Sequence, residues 1–227
     1  MRFMSALVIL KAVEDDLLPG LPGPKPELIW DPTAALMARI EQGERADGIF
    51  AIDGSMHKLV DAGLVDPASI VPVVQAEFGI AVSLDMPMPK LENADDLIVL
   101  LLSVPTLCYS RAGASGIYFE TLIDRLGIGD IVRAKSLVIP AGLTADQVRK
   151  GRAVLAVQQM SELRAVDGVR VVGPLPPDCQ QKTDFSAGVF ADAKEPEAAR
   201  EFIATLTSPE ARAVYLDRGL NVRFCLP

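Results

Sequence analysis

Residues 27–60 read ELIWDPTAALMARIEQGERADGIFAIDGSMHKLV and repeat one pattern, a short apolar run followed by an amphipathic stretch. The apolar runs ELIW (27–30) and GIFAI (48–52) have the length of buried β-strands. Thr33 and Ser55 follow them after short turn sequences and are typical of helix beginnings. The stretch therefore predicts strand, helix, strand, helix, which is the repeating unit of an α/β domain.

The same alternation continues along the rest of the chain. Further apolar runs predict strands at 6–10, 70–74, 79–83, 105–109, 136–140, 153–158, 169–173 and 186–191. Helical periodicity predicts helices at 33–42, 55–63, 94–103, 115–126, 144–150, 159–165, 195–206 and 208–218. We therefore predict an α/β protein with mixed, mostly parallel sheets flanked by helices.

Two polar, proline-rich segments interrupt this alternation, at 84–96 (LDMPMPKLENADD) and at 174–184. Joints at these places would enclose a middle lobe, 84–180, and return the chain to a first lobe made of 1–83 plus 181–227. Two crossings of this kind suit closure of two lobes around a ligand. The expected ligand cleft lies between the lobes.

Composition excludes several classes of protein. The 227 residues carry 22 Lys and Arg against 30 Asp and Glu, a net charge of -8, which argues against a nucleic-acid partner. Cys108, Cys179 and Cys225 show no CxxC spacing, so neither a metal site nor a disulfide framework is expected. No run is long enough for membrane insertion, and the first residues lack the form of a signal peptide. We expect a cytoplasmic protein as written, or a periplasmic one if the sequence is that of a processed form.

A stretch rich in small residues, YSRAGASGIYFETLIDRLGI (109–128), joins a predicted strand to a predicted helix. A helix that begins here presents unpaired N–H groups and the positive end of its dipole, and an arginine beside it fits a carboxylate. The ligand-binding candidates of this stretch are Ser110, Arg111, Ala114 and Ser115. The alternative stays open that this is a tight strand–helix turn with an arginine that faces solvent.

Two helix beginnings in the first lobe have the same character. Thr33 and Ala34 open one helix, and Gly54 and Ser55 open another, so all four are candidates for binding an anion. Ordinary helix capping is the alternative for both. Lys11 follows the first predicted strand and either faces the cleft or pairs with the acidic residues that come after it.

Gln158 and Gln159 end a predicted strand, at the edge where parallel sheets bind ligands. They are candidates for hydrogen bonds to a carboxylate. Glu162 is either a general base or an ordinary first-turn acid of a helix. His57 and Lys11 are the other side chains available for acid–base chemistry, but no pattern assigns a catalytic residue. Because no GxGxxG, Walker, HExxH or GxSxG sequence occurs, no cofactor is predicted.

Several longer segments resemble a known family. These are DPTAALMARIEQGERAD (31–47), GSMHKLVDAGLVDP (54–67), SRAGASGIYFETLIDRLGI (110–128), VDGVRVVGPLPPD (166–178) and AKEPEAAREFIATLTSPEARAVYLDRGL (193–220). Together they are similar to type II periplasmic solute-binding proteins, the molybdate-binding branch especially. The resemblance implies a two-lobed type II fold, a small anionic ligand and either a transporter partner or a homodimer.

The chain departs from the molybdate-binding pattern at three places. Lys11 stands where that branch has a small residue, Asp31-Pro32-Thr33-Ala34 replaces its Gly-Ser-Ser-Gly cap, and Gln158 replaces a tyrosine. Molybdate is a compact dianion held mostly by neutral donors, whereas Lys11 and Arg111 suit a larger, flatter carboxylate. An organic di- or tricarboxylate is therefore the expected ligand of this binding protein.

The Ser-Arg-x-Gly-Ala-Ser-Gly loop at 110–116 also looks like that of an aconitate-isomerase-like subgroup of the same scaffold. This resemblance implies an alternative function, a cofactor-free isomerase acting on an unsaturated tricarboxylate. Such a reaction needs a positioned acid or base that moves an allylic proton. A ligand-sensing domain that acts through protein contacts is a third hypothesis.

Overall fold

The structure is a computed structural model that describes residues 1–225. Its strands are β1 (Arg2–Ser5), β2 (Glu27–Trp30), β3 (Gly48–Ile52), β4 (Val71–Ser83), β5 (Leu107–Ser110), β6 (Ser136–Ile139), β7 (Leu155–Gln159), β8 (Val169–Pro174), β9 (Lys182–Val189) and β10 (Asn221–Val222). Its helices are α1 (Thr33–Glu41), α2 (Asp53–Asp61), α3 (Ala94–Ser103), α4 (Ala114–Arg125), α5 (Gly129–Ala134), α6 (Ala145–Arg149), α7 (Met160–Arg164), α8 (Pro196–Leu206) and α9 (Pro209–Asp217).

The chain divides into two compact units. Unit 1 contains 1–76 and the chain from Thr183 onward, and unit 2 contains 77–182. Both proline-rich segments identified in the sequence begin inside unit 2. The predicted lobe boundaries, at 83/84 and 180/181, stay a prediction, and the two units are described separately below.

Unit 1 is built on a mixed sheet. β1 lies between β2 and β3 and is parallel to both, while β9 is antiparallel to β3. Alternate side chains of β1 enter different apolar clusters, Phe3 with Phe50 and Phe202, and Met4 with Leu36. This alternation shows that both faces of the strand are covered, as expected for parallel strands in an α/β domain.

Unit 2 repeats this arrangement. β5 is parallel to β6 and β7, and the second half of β4 is antiparallel to β7 and β8. Along β5, Leu107 and Tyr109 belong to one apolar cluster and Cys108 belongs to another. α4 contributes Phe119, a fully buried side chain, to the first cluster. The predicted α/β class with mixed sheets flanked by helices is confirmed.

The first predicted strand is wrong. Residues 6–10 do not form a strand: Leu7–Ile9 is a turn of 3₁₀ helix, and β1 occupies the residues before it. The Ala6 N–H still donates to the Phe50 carbonyl at 2.9 Å, after which the backbone turns away. Periodicity cannot separate a short buried helix from a strand in so apolar a run.

Two further differences concern element boundaries. The predicted strands 70–74 and 79–83 are one continuous strand, β4, because Gln75 and Glu77 between them are extended as well. The short helix α5 was not predicted. The prediction of α3 at 94–103 is confirmed to the residue, with Asn93 as its cap accepting from the Asp96 N–H at 3.0 Å.

Three further findings concern residues 1–225. No helix there is long and apolar enough to cross a membrane. No group of three or more His, Cys, Asp or Glu side chains in that range is placed to hold a metal ion. Cys108, Cys179 and Cys225 are free thiols, and Cys225 is exposed.

Candidate functional site

The small residues of the 110–116 loop allow α4 to pack against the end of β5. A Cβ atom added to Gly116 would lie 1.6 Å from the Ser110 carbonyl oxygen, and one added to Gly113 would lie 2.4 Å from Ser110 Oγ. Glycine at both positions therefore lets the beginning of α4 lie against Ser110.

This packing buries Ser110 and leaves its hydroxyl without a partner. The residue is only 2% exposed, and its Oγ atom makes no hydrogen bond within residues 1–225. A buried hydroxyl without a partner costs free energy that a ligand can recover. Ser115, in the first turn of α4, is also buried.

The first turn of α4 presents free donors beside Ser110. The N–H groups of Gly116 and Ile117 both donate to the Gly113 carbonyl at 3.1 Å. For the N–H groups of Ala114 and Ser115, the part of the chain that the structure describes offers no backbone acceptor. α4 has twelve residues, so its dipole adds positive potential at the same place.

Arg111 supplies a full positive charge at this helix beginning. Its side chain is exposed, and its guanidinium makes no hydrogen bond or ion pair with any residue in 1–225. The backbone holds the residue in place, because its N–H donates to the Ile139 carbonyl at 2.8 Å. A guanidinium that is fixed at its base and has no partner is available to a carboxylate.

An ion-pair network engages the carboxylate of Glu120, which lies in α4. Glu120 accepts a short hydrogen bond from the Tyr109 hydroxyl and pairs with Arg133, Nε to Oε2, at 2.7 Å. Arg133 also binds Asp124 at 2.6 Å. Burial, followed by the bond to Glu120, raises the pKa of Tyr109 above its ordinary value. Tyr109 is therefore neutral at physiological pH.

Gln158 is 2% exposed, and its amide already has partners. Its Oε1 atom accepts from the Thr144 N–H at 2.7 Å and from the Thr144 hydroxyl at 2.9 Å, while Nε2 donates to the Gly142 carbonyl at 2.9 Å. The side chain thus anchors the loop between β6 and α6. Its predicted role in ligand binding stays a prediction.

Glu162 is the buried carboxyl of unit 2. It is 8% exposed, and its Oε2 atom accepts from the Gln159 N–H at 3.4 Å. Burial raises its pKa to about 7, against opposing hydrogen bonds from Gln159 and Gln158, and no charged side chain contributes to the shift. The group therefore changes protonation near neutral pH, which is the property required of an acid–base residue.

In unit 1, the structure brings two of the predicted helix beginnings together. β2 and β3 end at the same edge, so α1 and α2 start side by side, and the Ile52 N–H donates to the Thr33 hydroxyl at 3.4 Å. Thr33 and Ala34 thus lie close to the beginning of α2. Thr33 does not cap its own helix, because Pro32 occupies the cap position.

A carboxylate already occupies the beginning of α2, which the sequence analysis missed. Asp53 accepts from the Ser186 hydroxyl at 2.7 Å and pairs with Arg223 at 2.9 Å. Gly54 and Ser55 follow Asp53 in the first turn of the helix, and space is open around Gly54. No sequence signal links Asp53 to two residues so distant in the chain.

The other two candidates of unit 1 are Lys11 and His57. Lys11 does not end a strand, since β1 stops at Ser5, and its Nζ atom pairs with Asp15 at 3.4 Å. This is the pairing with following acids that the sequence left open. His57 is exposed on α2.

Comparisons with known proteins place the chain in a family. The family model for bacterial extracellular solute-binding proteins matches residues 22–221. A Pseudomonas protein named "Aconitate isomerase" is 32% identical over 192 residues, which cover 84% of this chain and 73% of the relative.

Two solved structures show the same fold. The periplasmic molybdate-binding protein of Azotobacter vinelandii aligns over 100% of this chain and 99% of its own, with a TM-score of 0.78 and 17% identity. PEB3 with bound L-phospholactate, a protein known from Campylobacter jejuni, aligns over 97% and 99%, with a TM-score of 0.70 and 15% identity. The predicted resemblance to type II periplasmic binding proteins of the molybdate-binding type is thereby confirmed. The chain belongs to the bacterial extracellular solute-binding protein family.

Proposed function

We propose that this solute-binding protein binds a small organic anion with two or three carboxylates through the beginning of α4. One observation carries the proposal. A buried Ser110 hydroxyl without a partner, two free N–H groups and the unpaired Arg111 guanidinium lie within one short loop and helix turn. Each of these donors suits a carboxylate oxygen, and each lacks a partner within residues 1–225.

The free guanidinium favours a carboxylate over molybdate. Arginine presents a planar fork that matches two carboxylate oxygens, whereas the resemblance to the molybdate-binding branch implies that molybdate is held mostly by neutral donors. The net charge of -8 repels anions at long range, so recognition has to come from this local arrangement. The phospholactate-bound structure of PEB3 carries an organic anion on the same fold.

Isothermal titration with tricarballylate, citrate, cis-aconitate, sulfate and molybdate tests the proposal. We expect saturable binding of at least one carboxylate, and a loss of roughly thirtyfold in its affinity in Arg111→Ala. Arg152→Ala is the matched control, because Arg152 is also exposed in unit 2 and forms no ion pair within residues 1–225. The proposal fails if none of the carboxylates binds, or if the two arginine variants weaken binding equally.

A second candidate function is isomerisation of an unsaturated tricarboxylate. Two observations favour it: the 32% identity to the protein named aconitate isomerase, and the buried Glu162 carboxyl whose pKa is about 7. Such a carboxylate can remove an allylic proton from the substrate. The double bond then shifts, and the resulting acid returns a proton, so that no cofactor or net change in atoms is required.

Proton NMR of cis-aconitate incubated with the protein in D₂O separates binding from turnover. Turnover by this route predicts signals of the trans isomer with deuterium incorporation, and their loss in Glu162→Gln while titration still detects binding. Bound cis-aconitate whose spectrum does not change would rule out this second function for that substrate.

We further propose that the protein acts outside the cytoplasmic membrane and delivers its ligand to a transporter. The family description names an extracellular setting, and the proposed ligand is a transportable anion. Fractionation of cells that express the full native gene tests the location. Recovery of the protein in the cytoplasmic fraction alone would contradict it.

A further inference from the structure

Several exposed apolar side chains of unit 2 belong to α3 and to the segment after β4. α3 has no charged residue from Leu97 to Ser103, and its outer side exposes Val99 by 67% and Leu102 by 39%. The segment after β4 adds Leu84 and Met88, exposed by 55% and 59%. A helix that is apolar all round is normally covered on every side, and a concentrated exposed apolar surface of this kind marks an interaction site.

Two neighbouring concavities shape this surface. One has a volume of about 330 Å³ and lies between the 86–90 segment and the outer side of α3. The other, of about 340 Å³, lies beside it and shares Met86 and Ser103 with it. We call this surface, formed by 84–90 and by the outer side of α3, the α3 groove. Its concavities are large enough to receive apolar side chains of a partner.

The charges that line the α3 groove are acidic. Asp95 lines the first concavity and Asp85 the second, and neither forms an ion pair within residues 1–225. The lining cation, Lys90, is already bonded to Asp96 at 3.3 Å and to Glu92 at 3.1 Å.

Two other cations nearby line neither concavity. Lys135 donates to the carbonyls of Leu102 and Val104 at 2.8 and 2.6 Å, and Arg170 donates to the carbonyls of Leu84 and Met86. Because both cations bond to backbone carbonyls, the carboxylates of Asp85 and Asp95 have no cation as a partner within residues 1–225.

We propose that the α3 groove docks a protein segment that presents apolar side chains flanked by lysine or arginine. The apolar side chains fill the two concavities, and the partner's cations pair with Asp85 and Asp95. Complementary charge of this kind sets orientation and excludes wrong partners. A second copy of this chain fits poorly, because a symmetric contact sets the same acidic surface against itself.

Binding of a defined peptide tests the proposal with the full chain. The probe is a short, labelled helical peptide with leucine along one side and lysine on its flanks, followed by fluorescence anisotropy at physiological ionic strength. The same peptide with glutamate in place of lysine is the charge control. We expect the lysine peptide to bind and the glutamate peptide not to bind.

Paired variants separate the groove from general attraction to an acidic protein. Val99→Ser with Asp95→Asn, and independently Met86→Ser with Asp85→Asn, should each weaken binding by at least about tenfold, because Val99 and Met86 line the concavities. The matched control is Ile131→Ser with Asp130→Asn, an exposed apolar residue and an exposed first-turn acid of α5 in the same unit. This control should change the affinity by less than about twofold.

Each other result overturns the proposal. Equal losses in the groove and control variants would show general charge attraction, and absence of saturable binding would show no site. Self-association that disappears in the Val99/Asp95 variant, seen by sedimentation, would assign the groove to a second copy. Binding to anionic vesicles that depends on Val99 would assign it to a membrane surface.

Discussion

Replacing Gly116 with alanine should destabilise unit 2, because the close approach of α4 to β5 requires a residue without a side chain there. The added Cβ atom would lie 1.6 Å from the Ser110 carbonyl oxygen, whereas real Cβ contacts essentially never fall below 3.0 Å. The clash is with backbone, so no change of rotamer relieves it. The beginning of α4 has to move away from β5 by about 1.4 Å, the difference between these two distances.

The size of the effect follows from what α4 buries. Phe119, Leu122 and Ile123 of α4 are fully buried, so moving the helix disturbs their packing. Overpacking a core in this way costs roughly 1–3 kcal/mol. Alanine recovers up to about 1 kcal/mol, because it is a better helix former than glycine. A net loss of about 1 kcal/mol in the free energy of unfolding is expected, the middle of that cost less the gain from alanine.

Gly54→Ala is the matched control for this substitution. Gly54 also lies in the first turn of a helix, but no atom approaches its added Cβ within 4 Å. It should leave stability unchanged or raise it by up to about 1 kcal/mol. Urea unfolding followed by far-UV circular dichroism measures both variants, since the sole tryptophan lies in unit 1. Equal midpoints for the two variants would refute the proposed role of Gly116.

Two other predictions concern buried carboxyl groups. Folding raises the pKa of Glu162 from 4.5 to about 7, so the folded chain keeps a proton that the unfolded chain loses, and stability should fall by roughly 3 kcal/mol as pH rises from about 4.5 to about 7. Urea unfolding across this range should show the decline in the wild type and its absence in Glu162→Gln, and equal slopes would contradict it. Asp47→Ala should lower the free energy of unfolding by about 2–4 kcal/mol. The reason is that this buried carboxylate accepts from the N–H groups of Arg2, Lys194 and Glu195 at 2.7–2.8 Å. A shift in the thermal denaturation midpoint no larger than that of Asp217→Ala would count against this.

Local patterns in the sequence were enough to predict most of the fold. β3 and α3 were predicted to the residue, because an uninterrupted apolar run and a capped helical repeat each carry their own boundaries. The run at 6–10 failed because a buried 3₁₀ turn and a buried strand have the same composition. Only the partner of each backbone N–H, such as that of Ala6 to Phe50, separates them.

Individual residues of the candidate site were predicted from the sequence, but the contacts between residues distant in the chain were not. Ser110 and Arg111 were identified because of where they stand between a strand and a helix. The ion pair of Asp53 with Arg223 and the burial of Glu162 depend on contacts between distant segments. A single sequence, read by itself, carries no signal for such pairs.

The contacts of Glu120 bear on why the Arg111 guanidinium is unpaired within residues 1–225, although acidic residues outnumber basic ones, 30 to 22. The charges of Glu120 and Arg111 both influence the pKa of Tyr109, in opposite directions. One oxygen of the Glu120 carboxylate accepts from the Tyr109 hydroxyl, and the other pairs with Arg133. Tyr109 and Arg133 thus engage both oxygens of this carboxylate, and Glu120 forms no ion pair with Arg111 within residues 1–225.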